Sequence, residues 1–124
     1  MLIPHLHFKG DCADAIALYE KAFNTKAGGY DYRDDKISHA EIAIHGQKVY
    51  LNDANEYINN EFGIDSATHL ILTFNTTEEL LTCYDDLKES GNTLTPFIET
   101  PYSKLTGNFL DKFGVLWGFM VVSE

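Results

Sequence analysis

Residues 2–23, LIPHLHFKGDCADAIALYEKAF, pass from a strand pattern into a helix pattern, and the reading of that passage decides the fold. Leu2 to Phe8 alternates, and the turn Gly10-Asp11 follows it. Asp11 is placed to cap the free amides of a helix start. Behind it Ala15, Ile16, Tyr19, Ala22 and Phe23 recur at spacings of three and four, which lays one apolar stripe along about three helical turns. Residues 68–87, THLILTFNTTEELLTCYDDL, repeat the passage. A strand from Thr68 to Phe74 leads to Thr76 and Glu79 at capping-box spacing. A second stripe, Leu80, Leu81, Tyr84 and Leu87, runs to Ser90-Gly91-Asn92, where Gly91 suits a left-handed helix end. Leu6-His7-Phe8 overlies Leu72-Thr73-Phe74 at an offset of 66, and Ala15, Ile16, Tyr19 and Ala22 overlie Leu80, Leu81, Tyr84 and Leu87 at 65.

Each of these units is followed by three short strand segments. In the first half they are Lys26 to Arg33, Ile37 to Ile44 and Gln47 to Asp53, divided by Arg33-Asp34-Asp35-Lys36 and by His45-Gly46. In the second they are Thr93 to Glu99, Lys104 to Asp111 and Val115 to Val122. The order is therefore βαβββ twice, an α+β chain duplicated from one unit. A ferredoxin-like βαββαβ sandwich needs only four strands and leaves strong segments of the second half unused. The expected organisation is one domain over residues 1–124, with a first module over about 1–55, a connection over about 56–66 and a second module over about 67–124. The connection, rich in turn formers such as Asn59-Asn60, Gly63 and Asp65, also has the make-up of a lid.

Charge and composition exclude several classes of function. Nine basic against nineteen acidic side chains give a net charge of −10, the wrong sign for nucleic acid or an anionic membrane surface. A local cationic corner such as Lys21 with Lys26 still suits one phosphate or carboxylate. No run of about 18 apolar residues spans a bilayer, and the opening Met1-Leu2-Ile3-Pro4-His5 has no signal-peptide pattern, so a cytoplasmic protein is expected. The two cysteines, Cys12 and Cys83, lie in helical patterns without metal-ligand spacing and are expected to be reduced and packed.

Alternation assigns the side chains to faces. Leu6 and Phe8, like Leu70, Leu72 and Phe74, share the parity expected to meet the helices. His5 and His7 lie opposite, as do His69, Ile71 and Thr73, and His39 shares a parity with Glu41. A curved sheet whose convex side carries helices leaves a concave side free to line a cavity. His5, His7, His39, His69 and Asn52 are the candidate pocket residues, with Trp117 beside them. Glu41 is the candidate catalytic base, and His69 with His5 the candidate metal ligands. Each has a plainer reading. A lone strand histidine is more often a hydrogen-bonded polar side chain than a ligand, and Glu41 also fits an ion pair with Lys36 or Lys48. Asn52 and Asp53 fit turn capping, and Trp117, with Phe97, Tyr102, Phe109 and Phe119, fits a core or a dimer contact. No phosphate loop, nucleophile elbow or glycine-rich cofactor loop is present.

The segments Pro4 to Cys12, Ala15 to Phe23, Ser38 to Ile42 with Gly46-Gln47-Lys48, and Asp111 to Trp117 together resemble the PhnB-like branch of the vicinal oxygen chelate superfamily, the glyoxalase, bleomycin resistance and dioxygenase group. The resemblance covers nearly the whole chain. It implies paired βαβββ modules that form a curved mixed sheet around a concave cavity, a homodimer, and, in metal-dependent members, a divalent zinc, nickel, manganese or iron ion. Carried onto this sequence, the ligand that opens the second module falls on His69. The first-strand ligand falls on Pro4, or on His5 with a one-residue shift; the fourth-strand acid falls near Leu51-Asn52-Asp53; and the closing-strand acid falls on Gly118. The resemblance therefore implies an incomplete glyoxalase-type ligand set.

Two functions of different class follow, with a third beside them. One is a dimeric small-molecule-binding protein of the bleomycin resistance type with a degenerate metal site. The second is a metal-dependent lyase, isomerase or dioxygenase acting on a small oxygenated substrate, with Glu41 as base. The third, a non-enzymatic interaction module, requires an exposed apolar patch and a filled concave face.

Overall fold

The computed structural model describes residues 1–53, 68–88, 91–93 and 96–122. The chain divides into two compact units, residues 1–63 and 64–124, and each is a βαβββ module. The expected connection and lid over about 56–66 lie outside the described residues.

In the first module β1 (His5–Phe8) is followed by α1 (Cys12–Ala22), β2 (Gly28–Arg33), β3 (Lys36–Ile44) and β4 (Gln47–Asp53). The sheet order is β1-β4-β3-β2, with β1 parallel to β4 and the remaining neighbours antiparallel. Two-residue turns close both hairpins. Asp34 with Asp35, and His45 with Gly46, have positive φ, the requirement of the turns whose twist matches a two-residue hairpin. The expected stripe of α1 is buried at Ala15, Ile16, Tyr19 and Ala22, and it packs with Phe8, Ile42, Ile44, Val49 and Leu51 among the buried residues of this unit. Asp11, however, makes no side-chain cap. The carboxylate of Asp53 reaches across from β4 and accepts the amides of Gly10 at 2.8 Å and Cys12 at 3.0 Å through Oδ1, and of Ile37 at 3.4 Å through Oδ2.

The second module runs β5 (Leu70–Phe74), α2 (Thr77–Leu87), β6 (Asn92–Thr93), β7 (Ile98–Thr100), β8 (Ser103–Leu110) and β9 (Leu116–Val121). β5 pairs in parallel with β9 and β9 antiparallel with β8. β6 and β7 both pair antiparallel with β8, so the single strand expected from Thr93 to Glu99 is two short pieces on one edge. Separate sheet orders for the two units exclude the four-stranded ferredoxin-like alternative. Thr76 caps α2, its Oγ1 accepting the Glu79 amide at 3.1 Å. Leu80, Cys83 and Leu87 are buried, whereas Leu81 is exposed and so falls outside the stripe. Tyr84 lies against Phe97, Phe109 and Phe119, the aromatic cluster beneath α2. Gly91 is not left-handed, contrary to expectation. A Cβ there would stand 2.2 Å from the Leu110 carbonyl oxygen, so glycine is required by close approach of two backbones.

The segment Asp111 to Trp117 is held by its own first residue. Asp111 is buried; its Oδ1 accepts the amides of Phe113 at 2.9 Å and Val115 at 3.0 Å, and its Oδ2 accepts the Trp117 indole N–H at 3.0 Å. Both cysteines are buried and free. Burial, with Asp53 and Asp11 nearby, pushes the Cys12 thiol up to about 12, and burial with Asp86 does the same for Cys83, so neither is a nucleophile at neutral pH.

Candidate functional site: the open face of the first sheet

Register places one set of side chains on the side of the first sheet away from α1. His5 is paired with Tyr50, His7 with Asn52 and Glu41 with Tyr50, while Ala40, Ile42, Val49 and Leu51, of the other parity, are buried beneath the helix side. The open face therefore carries His5 and His7 from β1, Lys48, Tyr50 and Asn52 from β4, and His39 and Glu41 from β3. The register brings His5, His7, His39 and Asn52 onto one face. Tyr50 was missed in the sequence, although it shares its parity with Lys48 and Asn52.

The contacts join these groups into one polar, aromatic surface. The His5 and His7 ring centres are 4.2 Å apart, and Tyr50 stands edge-on to His5 at 6.0 Å and to His39 at 4.8 Å. His7 Nδ1 lies 2.7 Å from Asn52 Oδ1. With the amide oxygen accepting, His7 carries its neutral-form proton on Nδ1 and presents Nε2 as an acceptor. Glu41 sits between two cations or potential cations, with Oε2 3.5 Å from His39 Nε2 and Oε1 3.6 Å from Lys48 Nζ. The ion pair with Lys48 is one of the plainer roles foreseen for this residue. Partial burial lowers the pKa of His5, and charge on His7 and His39 lowers it further, so His5 is neutral at neutral pH.

In the second module His69 precedes β5, and its ring fills the space over Gly118. A Cβ at Gly118 would meet His69 Cδ2 and Nε2 at 3.0 Å and Ile71 Cγ1 at 3.2 Å. Trp117 requires a correction. Paired with Leu70 and flanked in parity by Phe119 and Val121, it belongs to the helix side of its sheet and is 1% exposed. It is a core residue tied to Asp111 and lines no open face. The open side of this sheet instead presents Ile71, Thr73, Thr106, Asn108, Gly118 and Met120, and the exposed Lys104 shares the parity of Thr106 and Asn108 near the start of β8.

The sequence pattern of the Glyoxalase/Bleomycin resistance protein/Dioxygenase superfamily matches residues 3–119. The chain belongs to that superfamily. The protein YjdN of Escherichia coli K12 is 27% identical over 144 residues, covering 99% of this chain and 96% of its own length. The PhnB protein from Bacillus cereus has a TM-score of 0.84 at 27% identity, covering 98% of each chain, in keeping with the PhnB-like branch read from the sequence. The fosfomycin resistance protein FosX from Listeria monocytogenes, in a complex with Mn(II) and a dihydroxypropylphosphonic acid, shares the fold at a TM-score of 0.73 and 12% identity, covering 99% of this chain and 92% of its own.

Among the described residues, the donors do not match the divalent ion of metal-dependent superfamily members. Among the described residues no three His, Cys, Asp or Glu side chains come together in a way that holds a metal ion. Asp53 turns to the helix side and its oxygens are taken by three amides. Gly118 offers no donor, and the space where one would stand holds the His69 ring. His69 thus keeps its place in the sequence without acidic company on the closing strand.

Proposed function

We propose that this superfamily member binds a small organic molecule on the open face of its first sheet, without a glyoxalase-type metal. The observation that carries this reading is the row of His5, His7, Tyr50, Asn52 and His39, an aromatic surface with hydrogen-bonding edges. Such a surface stacks on flat or unsaturated ligands and donates or accepts at their rims, as binding sites with a few convergent polar groups do. A homodimer is the assembly proposed for it, and the cytoplasm its place. Among the described residues no helix is long and apolar enough to cross a membrane.

Glu41 has a carboxylate in reach of His39 and serves this reading as a hydrogen-bond acceptor to the ligand. A metal-dependent lyase, isomerase or dioxygenase needs a donor set that does not come together among the described residues. Methyl transfer, attributed to the Bacillus protein, is not carried over. The turn before α1 has Gly10 alone rather than a glycine-rich cofactor loop, and the Gly10 and Cys12 amides there are taken by Asp53.

The test is a thermal-shift screen of flat aromatic amides, phenols and quinones, repeated with Tyr50→Ala and His39→Ala. Binders are expected to raise the melting temperature of the parent protein, and loss of one ring is expected to weaken them about fivefold to tenfold. Binders whose affinity both variants leave unchanged would refute the assignment of this face.

A further inference from the structure

At the β2 end of the same open face lies a hollow of about 440 Å³ walled by Lys26, Gly28, Gly29, Glu41, Gly46 and Lys48 among others. Half of these six residues have no side chain, and one of the absences is structural. The pairing of β2 with β3 slips between Gly28 and Asp31, and Gly29 has φ +62°, the left-handed glycine of a strand bulge. A Cβ at Gly29 would stand 2.9 Å from Glu41 Oε2, so the bare position makes room for the carboxylate in the wall. The bulge bends the edge strand and leaves the ladder locally unpaired, the usual means by which a sheet opens beside a site.

The charge of the wall runs against that of the chain. Lys26 and Lys48 contribute two positive charges and Glu41 one negative, a local excess of one in a protein of net charge −10. Lys48 is engaged only loosely, 3.6 Å from Glu41 Oε1, and Lys26 makes no hydrogen bond or ion pair among the described residues. We propose that this hollow seats the carboxylate of a small organic monoanion between the Lys26 and Lys48 ammonium groups, against the bare backbone of Gly28 and Gly29. The proposal rests on the reading that the open face binds a small molecule, and it names the anchoring end of that ligand. A single negative charge matches the local excess, whereas a phosphate dianion would add uncompensated charge beside Glu41 in an acidic protein.

The probe is benzoate, titrated into isotope-labelled protein at constant ionic strength, with benzamide as the neutral isostere and phenyl phosphate as the dianion. Backbone amide shifts are the readout. Benzoate is expected to shift the Gly28, Gly29 and Gly46 amides saturably, and benzamide and phenyl phosphate are each expected to bind more weakly there. Lys26→Gln and Lys48→Gln, both changes of exposed side chains, are each expected to weaken benzoate about twofold to fivefold. Benzoate shifts confined to His5, His7 and Tyr50 would overturn the anion seat and leave the binding face standing. No saturable shift at either place would overturn both. Benzamide or phenyl phosphate binding the glycine amides as tightly as benzoate, or both lysine variants binding benzoate as the parent does, would overturn the seat.

Discussion

Asp53 and Asp111 show how single carboxylates commit the chain. Each is buried, and each accepts three N–H groups, Asp53 at the start of α1 and of β3 and Asp111 in the turn before β9 and from the Trp117 indole. Removing one partner from a buried hydrogen bond exposes the full desolvation cost of the other. Asp53→Ala is therefore expected to cost about 2–4 kcal/mol in urea denaturation. Asp53→Asn, which keeps an acceptor, should recover much of that. A loss below about 0.5 kcal/mol on Asp53→Ala would contradict the capping role. Acidity also reaches His5, whose pKa is lowered from 6.5 by partial burial and by His7 and His39. Between the lowered value and 6.5 the unfolded chain binds more protons than the folded one, so stability falls as pH drops through that window and is unaffected by His5 above it. His5→Gln should then gain on the parent as pH falls below 6.5, with parallel curves above neutrality. Curves parallel throughout, or a loss by the variant at acid pH, would contradict the shift.

At the scale of the element, periodicity carried most of the reading. Both helices and the turns at Asp34-Asp35 and His45-Gly46 follow from apolar spacing and turn chemistry, which are local properties, whereas the parallel pairing of β1 with β4 and of β5 with β9 does not. What escaped is set by contacts between segments distant in sequence. Asp11 sits at the right position to cap α1, yet Asp53, 42 residues further along the sequence, takes the amides. Gly91 looks like a helix stop and is instead the place where the backbone meets Leu110. Leu81 fits the α2 stripe by spacing, but Cys83 is the residue buried. Trp117 was set beside the histidines, while the pairing of β9 with β5 puts it beneath the helix. Of this face, the shared parity of His5 with His7 and of His39 with Glu41 was legible by alternation; Asn52 and Tyr50 join them only once β4 stands between β1 and β3. The glycines separate the two causes experimentally. Gly91→Ala should cost about 2–4 kcal/mol because backbone must move, whereas Gly28→Ala, with nothing within 4 Å of its Cβ, should stay within about 0.5 kcal/mol. Equal costs in thermal or urea unfolding would contradict the close-approach argument.

For the molecule as a whole, duplication gives two sheets that each keep one side for a helix and one side open. The first open side is rich in imidazole and the second is mostly hydroxyl, amide and aliphatic, so duplication supplied a frame that the two halves furnished differently. Superfamily membership fixes that frame; the residues on it decide whether an ion takes part. Here the acids that would complete a metal shell are a helix cap at Asp53 and an absence at Gly118. The most direct measurement is a calorimetric titration of one confirmed ligand into protein stripped with a chelator and into protein supplied with manganese or zinc. The account predicts the same affinity in both, with the His5, His7 and His39 ring resonances shifting on binding in the stripped sample. Binding that disappears with the chelator and returns only with the added ion would contradict it.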